Sequence, residues 1–260
     1  MAHKTLIGGT AYALKGGRDL IGGTGYSIKS GKTLIGGMAY DIQFAVKVPL
    51  NTVEPGALLY LNESGSPVPF YIAKHDYESA ANGTGRTLLV RKDCYDLRSF
   101  NSVSNGTYLN SALDTWLDGT YPNLLDSSVK TLLGKTTIPF RSSANTSGFL
   151  GVYQRTSFQL STTELGGTQA KSPEGSVLPI ADMLHIAYLN GVACTQWTRS
   201  VTGFYNSIVQ DVVYNYIVWA ANGTESSSTV SAQLGSRPAF TLPGTLEVIQ
   251  QSDGSYTVAA

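Results

Sequence analysis

The side chains best suited to covalent or acid–base catalysis in this sequence are one cysteine and two histidines. Cys94 is the candidate nucleophile, and the candidate base is His75, which precedes Asp76, or His185. Cys94 has no recognised local motif, and His185 lies in the apolar stretch 178–188, where a core histidine with satisfied hydrogen bonds is the commoner arrangement. No G-x-S-x-G motif occurs, and the Gly-Gly pairs near the N-terminus lack the partners of a nucleotide-binding loop. The sequence predicts that the chain is not an enzyme; a Cys/His hydrolase is the less favoured alternative.

The residues that could bind a metal are scattered along the chain. Cys94 and Cys194 lie 100 residues apart, without a CxxC pair or a His/Cys cluster, so we expect no zinc and two reduced, structural cysteines. A calcium-dependent sugar site would need grouped Glu, Asn and Asp ligands, whereas the stretch near the carboxyl end offers Asp211, Glu225 and scattered Asn. We therefore expect neither a metal nor a cofactor. Two carboxylate pairs at near-helical spacing are interpreted as solvated surface: Asp93 with Asp96, and Asp114 with Asp118.

The composition narrows the class of protein. The 260 residues carry 18 basic and 18 acidic side chains, and this neutral balance excludes a polybasic nucleic-acid binder and an acidic tail. Charged residues make up 14%, against roughly 25% in ordinary soluble domains. The 28 glycines and 15 tyrosines favour short strands and many turns. No apolar run approaches the roughly 20 residues of a spanning helix, and no signal peptide is evident, so we expect synthesis in a cytoplasm without membrane insertion.

A repeat with a period of 14 residues opens the chain. Residues 4–17, 18–31 and 32–44 each contain Leu-Ile-Gly-Gly followed by a tyrosine and a terminal aliphatic residue. The paired glycines allow a bend, so each repeat is predicted to form two short strands. An arm of roughly 40 residues seldom folds alone, and we expect residues 1–44 to oligomerise, most simply as a trimer, or to lie on a larger assembly. A flexible Gly-rich tether is the alternative.

Residues 45–260 are predicted to form one α+β domain. A hairpin is expected from 58–62 and 68–73, and a further strand at 87–90. A helix is predicted over 110–119, capped by Asn110 and ended by Gly119, with an apolar face of Leu113, Trp116 and Leu117. The remaining elements expected are a second helix over 126–133 and short apolar strands within 138–140 and 152–160.

The most informative stretch lies between Arg199 and Arg237, where no Lys or Arg occurs. Its Ser, Thr, Asn and Tyr content is typical of adaptable binding surfaces, and its poor periodicity predicts a long surface loop at about 198–236. The alternative is a weakly patterned β-hairpin whose aromatic residues are core. Trp219 is a further candidate aromatic anchor. The residues predicted to contact a ligand are Phe204, Tyr205, Asn206, Ser207, Asp211, Tyr214, Asn215, Tyr216, Val218, Ala220, Thr224, Ser226, Ser228, Ser231 and Leu234.

Residues 196–200 (QWTRS) and 235–243 (GSRPAFTLP) resemble the closing frame of a domain family of gut bacteria and their phages, which reads W-W-x-R-S-P, a variable stretch, then G-x-R-P-A. Thr198 and Val201 depart from that frame. The resemblance spans roughly residues 45–248, and the N-terminal repeats resemble those of phage virion proteins with the same domain. Further matching segments are 71–77 (YIAKHDY), 89–93 (LVRKD), 178–180 (LPI) and 189–191 (LNG).

The frame is similar to C-type-lectin-like domains, including variable proteins diversified by retroelements. The resemblance implies adenine mutagenesis at AAY codons, which cannot yield Lys, Glu, Gln, Met or Trp. Most of residues 201–234 obey that restriction, so variable positions would be interspersed with fixed ones. The residues that do not obey it are Gln210, Trp219, Glu225 and Gln233.

The frame residues, defined as Trp197, Arg199, Arg237, Pro238 and Phe240, have a physical interpretation. Both arginines are expected to donate hydrogen bonds to backbone carbonyls or carboxylates, with Trp197 in the core and Pro238 and Phe240 in or beside the final strand. Ordinary surface charge is the alternative for the arginines.

The expected function is that of a phage virion protein, a head or tail fibre or decoration, that displays a diversified lectin-like surface for host or environmental ligands. The expected partners are further copies of the chain in a trimer, other virion proteins through the repeats, and a host-surface protein or glycan, without nucleic acid. The expected location is the virion, assembled in the host cytoplasm. A bacterial surface ligand-binding module is the alternative.

Overall fold

The chain divides into two units, Met1–Lys47 and Val48–Ala260, in a computed structural model. The structure describes residues 4–7, 10–13, 18–21, 24–27, 30–35, 38–43, 46–104, 106–141, 150–170, 173–206, 208 and 211–259.

The first unit contains three antiparallel hairpins, one for each repeat. In the first, Thr5 pairs with Tyr12, and Tyr26 and Tyr40 occupy the corresponding registers in the next two. This confirms the prediction of two short strands per repeat, and the Gly-Gly pairs between the strands lie outside the described residues. The strands are β1 (Lys4–Ile7), β2 (Thr10–Ala13), β3 (Arg18–Ile21), β4 (Thr24–Ser27), β5 (Ser30–Ile35) and β6 (Met38–Gln43).

In its described residues, the second unit combines many strands with four short helices. Two 3-10 turns are formed by Leu50–Thr52 and Tyr121–Leu124. The helices are α1 (Ser79–Asn82), α2 (Ala112–Gly119), α3 (Ser127–Lys130) and α4 (Ala181–Leu184). The strands are β7 (Lys47–Pro49), β8 (Leu58–Glu63), β9 (Ser66–His75), β10 (Arg86–Arg91), β11 (Asp96–Arg98), β12 (Thr136–Arg141), β13 (Leu150–Arg155), β14 (Ala187–Leu189), β15 (Val192–Cys194), β16 (Gln196–Asn206), β17 (Asp211–Trp219), β18 (Glu225–Ser228), β19 (Leu234–Ser236), β20 (Ala239–Pro243), β21 (Glu247–Gln250) and β22 (Tyr256–Val258).

Two larger sheets organise this unit. The seven-stranded sheet has the order β20-β10-β9-β8-β22-β21-β7, and the five-stranded sheet has the order β11-β19-β16-β17-β18. The pairs β12–β13 and β14–β15 form separate hairpins. Most pairings are antiparallel, while β22 runs parallel to β8 and β16 meets β19 in parallel. The predicted α+β class is confirmed as a mixed fold of mostly β-strands with few helices.

Strand β10 shows why the core forms on both faces of the seven-stranded sheet. Its consecutive residues Leu88, Leu89 and Val90 are all fully buried. Because neighbouring side chains of a strand point to opposite faces, Leu88 and Val90 join one hydrophobic cluster and Leu89 joins the other. The first cluster also contains the inner part of the five-stranded sheet, including Trp197.

The predicted hairpin over 58–62 and 68–73 is confirmed by β8 and β9, which pair from Leu58 with Tyr71 to Glu63 with Ser66. Ser64 and Gly65 form the two-residue turn with φ of 52° and 80°. Positive φ at both turn positions is the geometry that matches the twist of paired strands. The predicted strand at 87–90 is likewise confirmed by β10.

The first predicted helix is confirmed with a different N-terminus. Ser111, not Asn110, caps α2, because its hydroxyl accepts a hydrogen bond from the Asp114 amide at 3.1 Å while Asn110 has a left-handed φ of 60°. Gly119 is the last residue of α2, as predicted. Leu113 is fully buried within the helix.

The second predicted helix is shorter than 126–133. Helix α3 ends at Lys130, after which the amides of Leu132 and Leu133 bond the carbonyls three residues earlier. Such tightened bonds end many helices, so the prediction was right in place and wrong in length. The strand predicted at 138–140 is confirmed by β12, whereas the one predicted within 152–160 is displaced, since β13 ends at Arg155 and residues 156–160 contain a single bridge at Phe158.

The carboxylate pairs predicted to be solvated surface are partly inside the fold. Asp114 is fully buried and pairs with Arg155 at 2.7 Å, which corrects that interpretation. Asp118 pairs with Lys135 at 3.0 Å and accepts the Thr156 amide at 2.6 Å. These pairs connect α2 to β13 and the segment before β12.

Glu78 links the end of β9 to the segment around Ser176. Its carboxylate accepts the Ser176 hydroxyl at 2.6 Å and the Lys74 ammonium at 3.3 Å. Partial burial raises the pKa of the Glu78 carboxyl, but these hydrogen bonds and the charge of Lys74 lower it by more, so the pKa lies below its ordinary value.

No described helix is both long and apolar enough to cross a membrane.

Candidate functional site

The stretch between Arg199 and Arg237 is mainly β-structure. Strands β16 and β17 pair antiparallel from Gln196 with Trp219 to Asn206 with Asp211, and a bulge interrupts the register between Trp197 and Val201. Strand β18 then adds to the outer edge of β17. The prediction of a long surface loop was therefore wrong, and the alternative of a weakly patterned hairpin is the one observed.

The inner end of this hairpin belongs to the core. The side chains of Tyr216, Val218 and Trp219 are 1%, 2% and 5% exposed. The Tyr216 ring lies 4.6 Å from the ring of Phe100, and its hydroxyl accepts the Gly106 amide at 3.3 Å. This burial corrects the expectation that Tyr216, Val218 and Trp219 project from a loop, because a packed sheet covers them.

Other predicted contact residues lie on or near the surface. Tyr214 and Asn215 are half-buried on β17, and the Tyr214 ring covers Gly106, where a Cβ would collide with it. Ala220, Ser228 and Leu234 are half-buried, while Thr224, Ser226 and Ser231 are exposed. The backbone of Phe204, Tyr205 and Asn206 lies in β16 and that of Asp211 in β17, but their side chains and all of Ser207 lie outside the described residues.

A buried ion pair holds the inner end of β16. Arg199 is 1% exposed, and its guanidinium contacts both carboxylate oxygens of Glu164 at 2.6 and 3.0 Å. It also donates to the carbonyls of Pro139, Gln159 and Glu174, each at 3.0 Å. Burial alone would lower the pKa of Arg199, but the Glu164 carboxylate holds it above its ordinary value. The predicted donation to carbonyls and a carboxylate is confirmed, and surface charge is excluded for this residue.

Glu164 is itself positioned by its neighbours. Its carboxylate accepts the Ser161 amide at 2.8 Å, while the Ser161 hydroxyl accepts the Glu164 amide at 3.1 Å, which is the reciprocal pattern of a capping box. The Tyr77 hydroxyl donates to the other oxygen at 2.5 Å. Burial and then the charge of Glu164 raise the pKa of Tyr77. Sequence analysis missed Glu164, although the S-x-x-E spacing from Ser161 is a detectable signal.

Arg237 fixes the other end of the stretch through carbonyl groups. Its guanidinium donates to the carbonyls of Arg91, Lys92 and Leu184 at 2.8, 2.5 and 2.7 Å. Burial lowers its pKa. Gln159 connects it to Trp197, since its amide donates to the Trp197 carbonyl at 2.6 Å and its oxygen accepts the Arg237 amide at 3.1 Å. The expected roles of Arg237 and Trp197 are confirmed.

Phe240 and Pro238 stand in or beside β20 rather than beside the final strand. Strand β20 occupies the edge of the seven-stranded sheet, and β21 and β22 follow it. Phe240 is fully buried, with its ring 5.3 Å from that of Phe70. The frame therefore connects the two larger sheets.

Glu225 anchors β18 to the preceding segment. Its carboxylate accepts the Thr168 amide at 2.9 Å, the Gln169 amide at 3.1 Å and the Thr162 hydroxyl. A Cβ at Gly167 would collide with Thr162 and Glu225, so this contact also requires a glycine. Among the described residues, no group of three or more His, Cys, Asp or Glu side chains is placed to hold a metal.

Among the described residues, no hydrogen bond joins Cys94 to His75 or His185. His75 contacts the Thr87 hydroxyl and the Val53 carbonyl, at 2.9 and 2.8 Å. His185 contacts the Leu165 carbonyl at 2.8 Å and stacks on Trp219 at 3.9 Å.

Comparison with known proteins identifies the family. The family model described as "Domain of unknown function (DUF6273)" matches residues 84–244, which is more than half of the chain and includes every frame residue. No curated protein and no solved structure shows a significant match. The chain therefore belongs to the family of domains of unknown function designated DUF6273.

Proposed function

We propose that the protein is a phage virion component that displays a ligand-binding surface on β16, β17 and β18. The surface is the outer part of the β16–β17 hairpin together with the edge strand β18. We call the buried end of the hairpin, with Arg199, Arg237 and the groups they bind, the supporting base. The observation that carries the proposal is the contrast between this buried, hydrogen-bonded supporting base and an edge strand with exposed small polar residues.

The base supplies rigidity. Arg199 and Arg237 are both fully buried and together hold segments from several parts of the chain, among them the carbonyls of Pro139, Lys92 and Leu184. Bidentate pairing and multiple hydrogen bonds restrict the geometry of β16 at its inner end. A rigid base permits substitution further out without loss of the fold.

The outer surface has the composition of an adaptable binding site. Thr224, Ser226 and Ser231 are exposed, and Tyr214 is half-buried on β17, the strand that pairs with β18. Tyrosine offers contact area at low entropy cost, and small hydroxyl residues offer adaptable hydrogen bonds. Such a surface suits a host-surface protein or glycan as its ligand.

Retroelement diversification agrees with the roles of the fixed positions. Trp219 and Glu225 cannot arise from AAY codons, and both have structural roles: Trp219 stacks on His185, and Glu225 holds residues 168 and 169. Diversification that left these two positions unchanged would alter the exposed side chains and preserve the contacts that hold β17 and β18 to the rest of the domain. The C-type-lectin-like resemblance supports the same function.

The three N-terminal hairpins are proposed to attach the protein to the virion and to join copies into a trimer. Each hairpin has two strands of 4 or 6 residues, and isolated two-stranded hairpins are marginally stable in water. Packing against other chains would supply the burial that each hairpin lacks.

A binding experiment tests the surface. The full chain, labelled with a fluorophore, is applied to a glycan array and to a panel of gut bacterial cells. Wild type should bind a subset, and the triple variant Thr224→Ala, Ser226→Ala, Ser231→Ala should bind at least about 10-fold more weakly, since lost interface hydrogen bonds cost about 1 kcal/mol each. Substitution of other exposed hydroxyl residues, Ser128→Ala, Thr131→Ala and Ser252→Ala, is the matched control. Equal binding by wild type and the triple variant would contradict the proposal.

A genomic comparison tests diversification separately. We expect a reverse transcriptase gene, a near-identical template repeat, and substitutions among copies of the locus confined to AAY codons within 201–234. Invariance of that stretch within one locus would exclude diversification. The binding surface would then be tested by the glycan array alone.

A further inference from the structure

Two thiols from distant parts of the sequence touch beside β19. Cys94 follows β10 and Cys194 ends β15, and their sulfur atoms lie 3.1 Å apart. Both are free cysteines, with Cys94 buried and Cys194 half-buried. They are the two cysteines of the whole chain, so an intramolecular disulfide can form between these two residues alone.

The backbone on either side of the pair is held in place. The Cys94 amide donates to the Tyr188 carbonyl at 2.9 Å, and its carbonyl accepts the Arg91 guanidinium at 2.7 Å. Cys194 pairs with Ala187 across the β14–β15 hairpin. The turn of that hairpin has φ of 51° and 80° at residues 190 and 191, the tight geometry that keeps short strands in register. Hydrogen bonds of the neighbouring backbone therefore position both thiols.

Gly235, at the start of the segment 235–243, leaves space for the two sulfurs. A Cβ at Gly235 would collide with the Cys94 sulfur and would lie 3.1 Å from that of Cys194. The Gly235 amide donates to the Thr195 carbonyl at 2.8 Å, which brings β19 against the residue that follows Cys194. The missing side chain at this position is what allows both thiols to be accommodated.

The surroundings distinguish the two thiols chemically. A hydrogen bond with Cys94 and the charge of Arg237 lower the pKa of Cys194, although its partial burial raises it. The same hydrogen bond and burial raise the pKa of Cys94. Because the thiolate is the reactive form, the lower pKa makes Cys194 the better nucleophile of the two.

A surface cavity lies beside Cys94. It has a volume of about 300 Å³, and Cys94 lies in its wall together with Arg91, Asp93, Tyr95 and Tyr188. Cys194 is itself partly exposed. Of the two thiols, Cys194 is therefore the more open to a reagent from solvent.

We propose that Cys94 and Cys194 are a redox modification site that forms a reversible disulfide on reaction with a low-molecular-weight disulfide such as oxidised glutathione. The Cys194 thiolate attacks one sulfur of oxidised glutathione, whose S–S bond breaks and releases a glutathione thiolate. Cys94 then attacks the Cys194 sulfur of the mixed disulfide, the second glutathione leaves, and the Cys94 proton passes to a leaving thiolate. Two protein thiols are oxidised and one glutathione disulfide is reduced to two thiols.

The bond would join the segment after β10 to β15, beside the frame that supports β16 and β19. It would close a loop of about 100 residues, so the oxidised form should resist unfolding more than the reduced form. This site goes beyond the proposed binding function and does not depend on it.

The test uses the full wild-type chain equilibrated in glutathione buffers of increasing oxidised fraction. Native protein is quenched with a maleimide, digested with trypsin and analysed by mass spectrometry. We expect the peptides 93–98 and 172–199 to appear as one cross-linked species that disappears with reduced glutathione, and the equilibrium constant for unfolding in urea to fall roughly 30- to 1,000-fold on oxidation.

The variants Cys94→Ser and Cys194→Ser separate the two steps. Cys94→Ser should stop at the mixed disulfide on Cys194, whereas Cys194→Ser should react at least several-fold more slowly. Wild-type protein that keeps two free thiols in oxidised glutathione, or that accumulates a stable mixed disulfide or an intermolecular one, would overturn the proposal.

Discussion

Replacing Arg199 by methionine should show how much the buried Arg199–Glu164 pair contributes to the free energy of unfolding. Arg199 makes five hydrogen bonds, two of them to the carboxylate of Glu164, and neither side chain has measurable exposure. In Arg199→Met the Glu164 carboxylate keeps the hydrogen bonds from Tyr77 and Ser161 but loses its countercharge. A buried charge left without its partner costs about 3–5 kcal/mol, so the free energy of unfolding should fall by about that amount.

Urea unfolding, followed by tryptophan fluorescence, measures this cost. The matched control is Lys135→Met, which removes an ion pair to Asp118 at 3.0 Å whose lysine side chain is 53% exposed. Solvent screens such a pair, so the control should cost less than about 1 kcal/mol. The two variants thus compare loss of an ion pair inside the fold with loss of one at its surface.

A double variant identifies the physical cause. Combining Arg199→Met with Glu164→Gln removes the unpaired charge while retaining a group that can accept hydrogen bonds, so the double variant should be more stable than Arg199→Met by at least about 1 kcal/mol. If Arg199→Met costs no more than Lys135→Met, or if adding Glu164→Gln destabilises the protein further, then the buried pair does not hold the base as described.

Three further outcomes are expected. Tyr216→Ala should lower the free energy of unfolding by about 3–5 kcal/mol because it empties a packed core position, while Ser226→Ala on the exposed edge should change it by less than about 0.5 kcal/mol; similar values in urea unfolding would contradict the division between core and surface. Gly235→Ala should lower the free energy of unfolding by about 1–3 kcal/mol, because the new methyl group collides with a thiol, and should reduce the yield of cross-linked peptide. The control Gly119→Ala, at a helix end with free space around it, should leave the stability measured by calorimetry unchanged or increase it. The pKa of Glu78 is depressed in the folded state, so its contribution to stability is present above the unfolded value of about 4.3 and is lost as pH falls through the folded value. Glu78→Gln should therefore flatten the acid side of the curve of unfolding free energy against pH. An unchanged slope would show that Glu78 is not the group responsible.

The elements predicted correctly are those with local signals. The Gly-Gly pairs and the 14-residue period indicate the three hairpins, because a chain reversal needs permissive residues at fixed spacing. The hairpin turn at Ser64 and Gly65 and the end of α2 at Gly119 are local in the same sense. The cap of α2 was misassigned between neighbours Asn110 and Ser111, since both residue types favour that position and only backbone geometry distinguishes them.

The candidate site depended on contacts that the stretch itself does not encode. Tyr214 and Tyr216 are separated by one residue and have the same side chain, yet the first is half-buried and the second is fully covered by Phe100. Both rings pack against the segment 100–106, more than 100 residues earlier in the chain, and no local pattern describes how far each ring is covered there. Composition singled out this stretch as the candidate site but could not assign exposure within it.

Sequence alone was sufficient to recognise the repeats, the bounded arginine-free stretch and the α+β class, because composition, period and turn residues act over a few neighbouring positions. Tertiary structure was needed to show that Arg199 meets Glu164, that Arg237 meets the carbonyls after β10, and that Cys94 meets Cys194. Partners of this kind are brought together by packing of distant strands, and burial then sets the strength of each contact. The difference between the buried arginines with their partners and the exposed residues at the edge of the sheet is consequently a property of the folded chain.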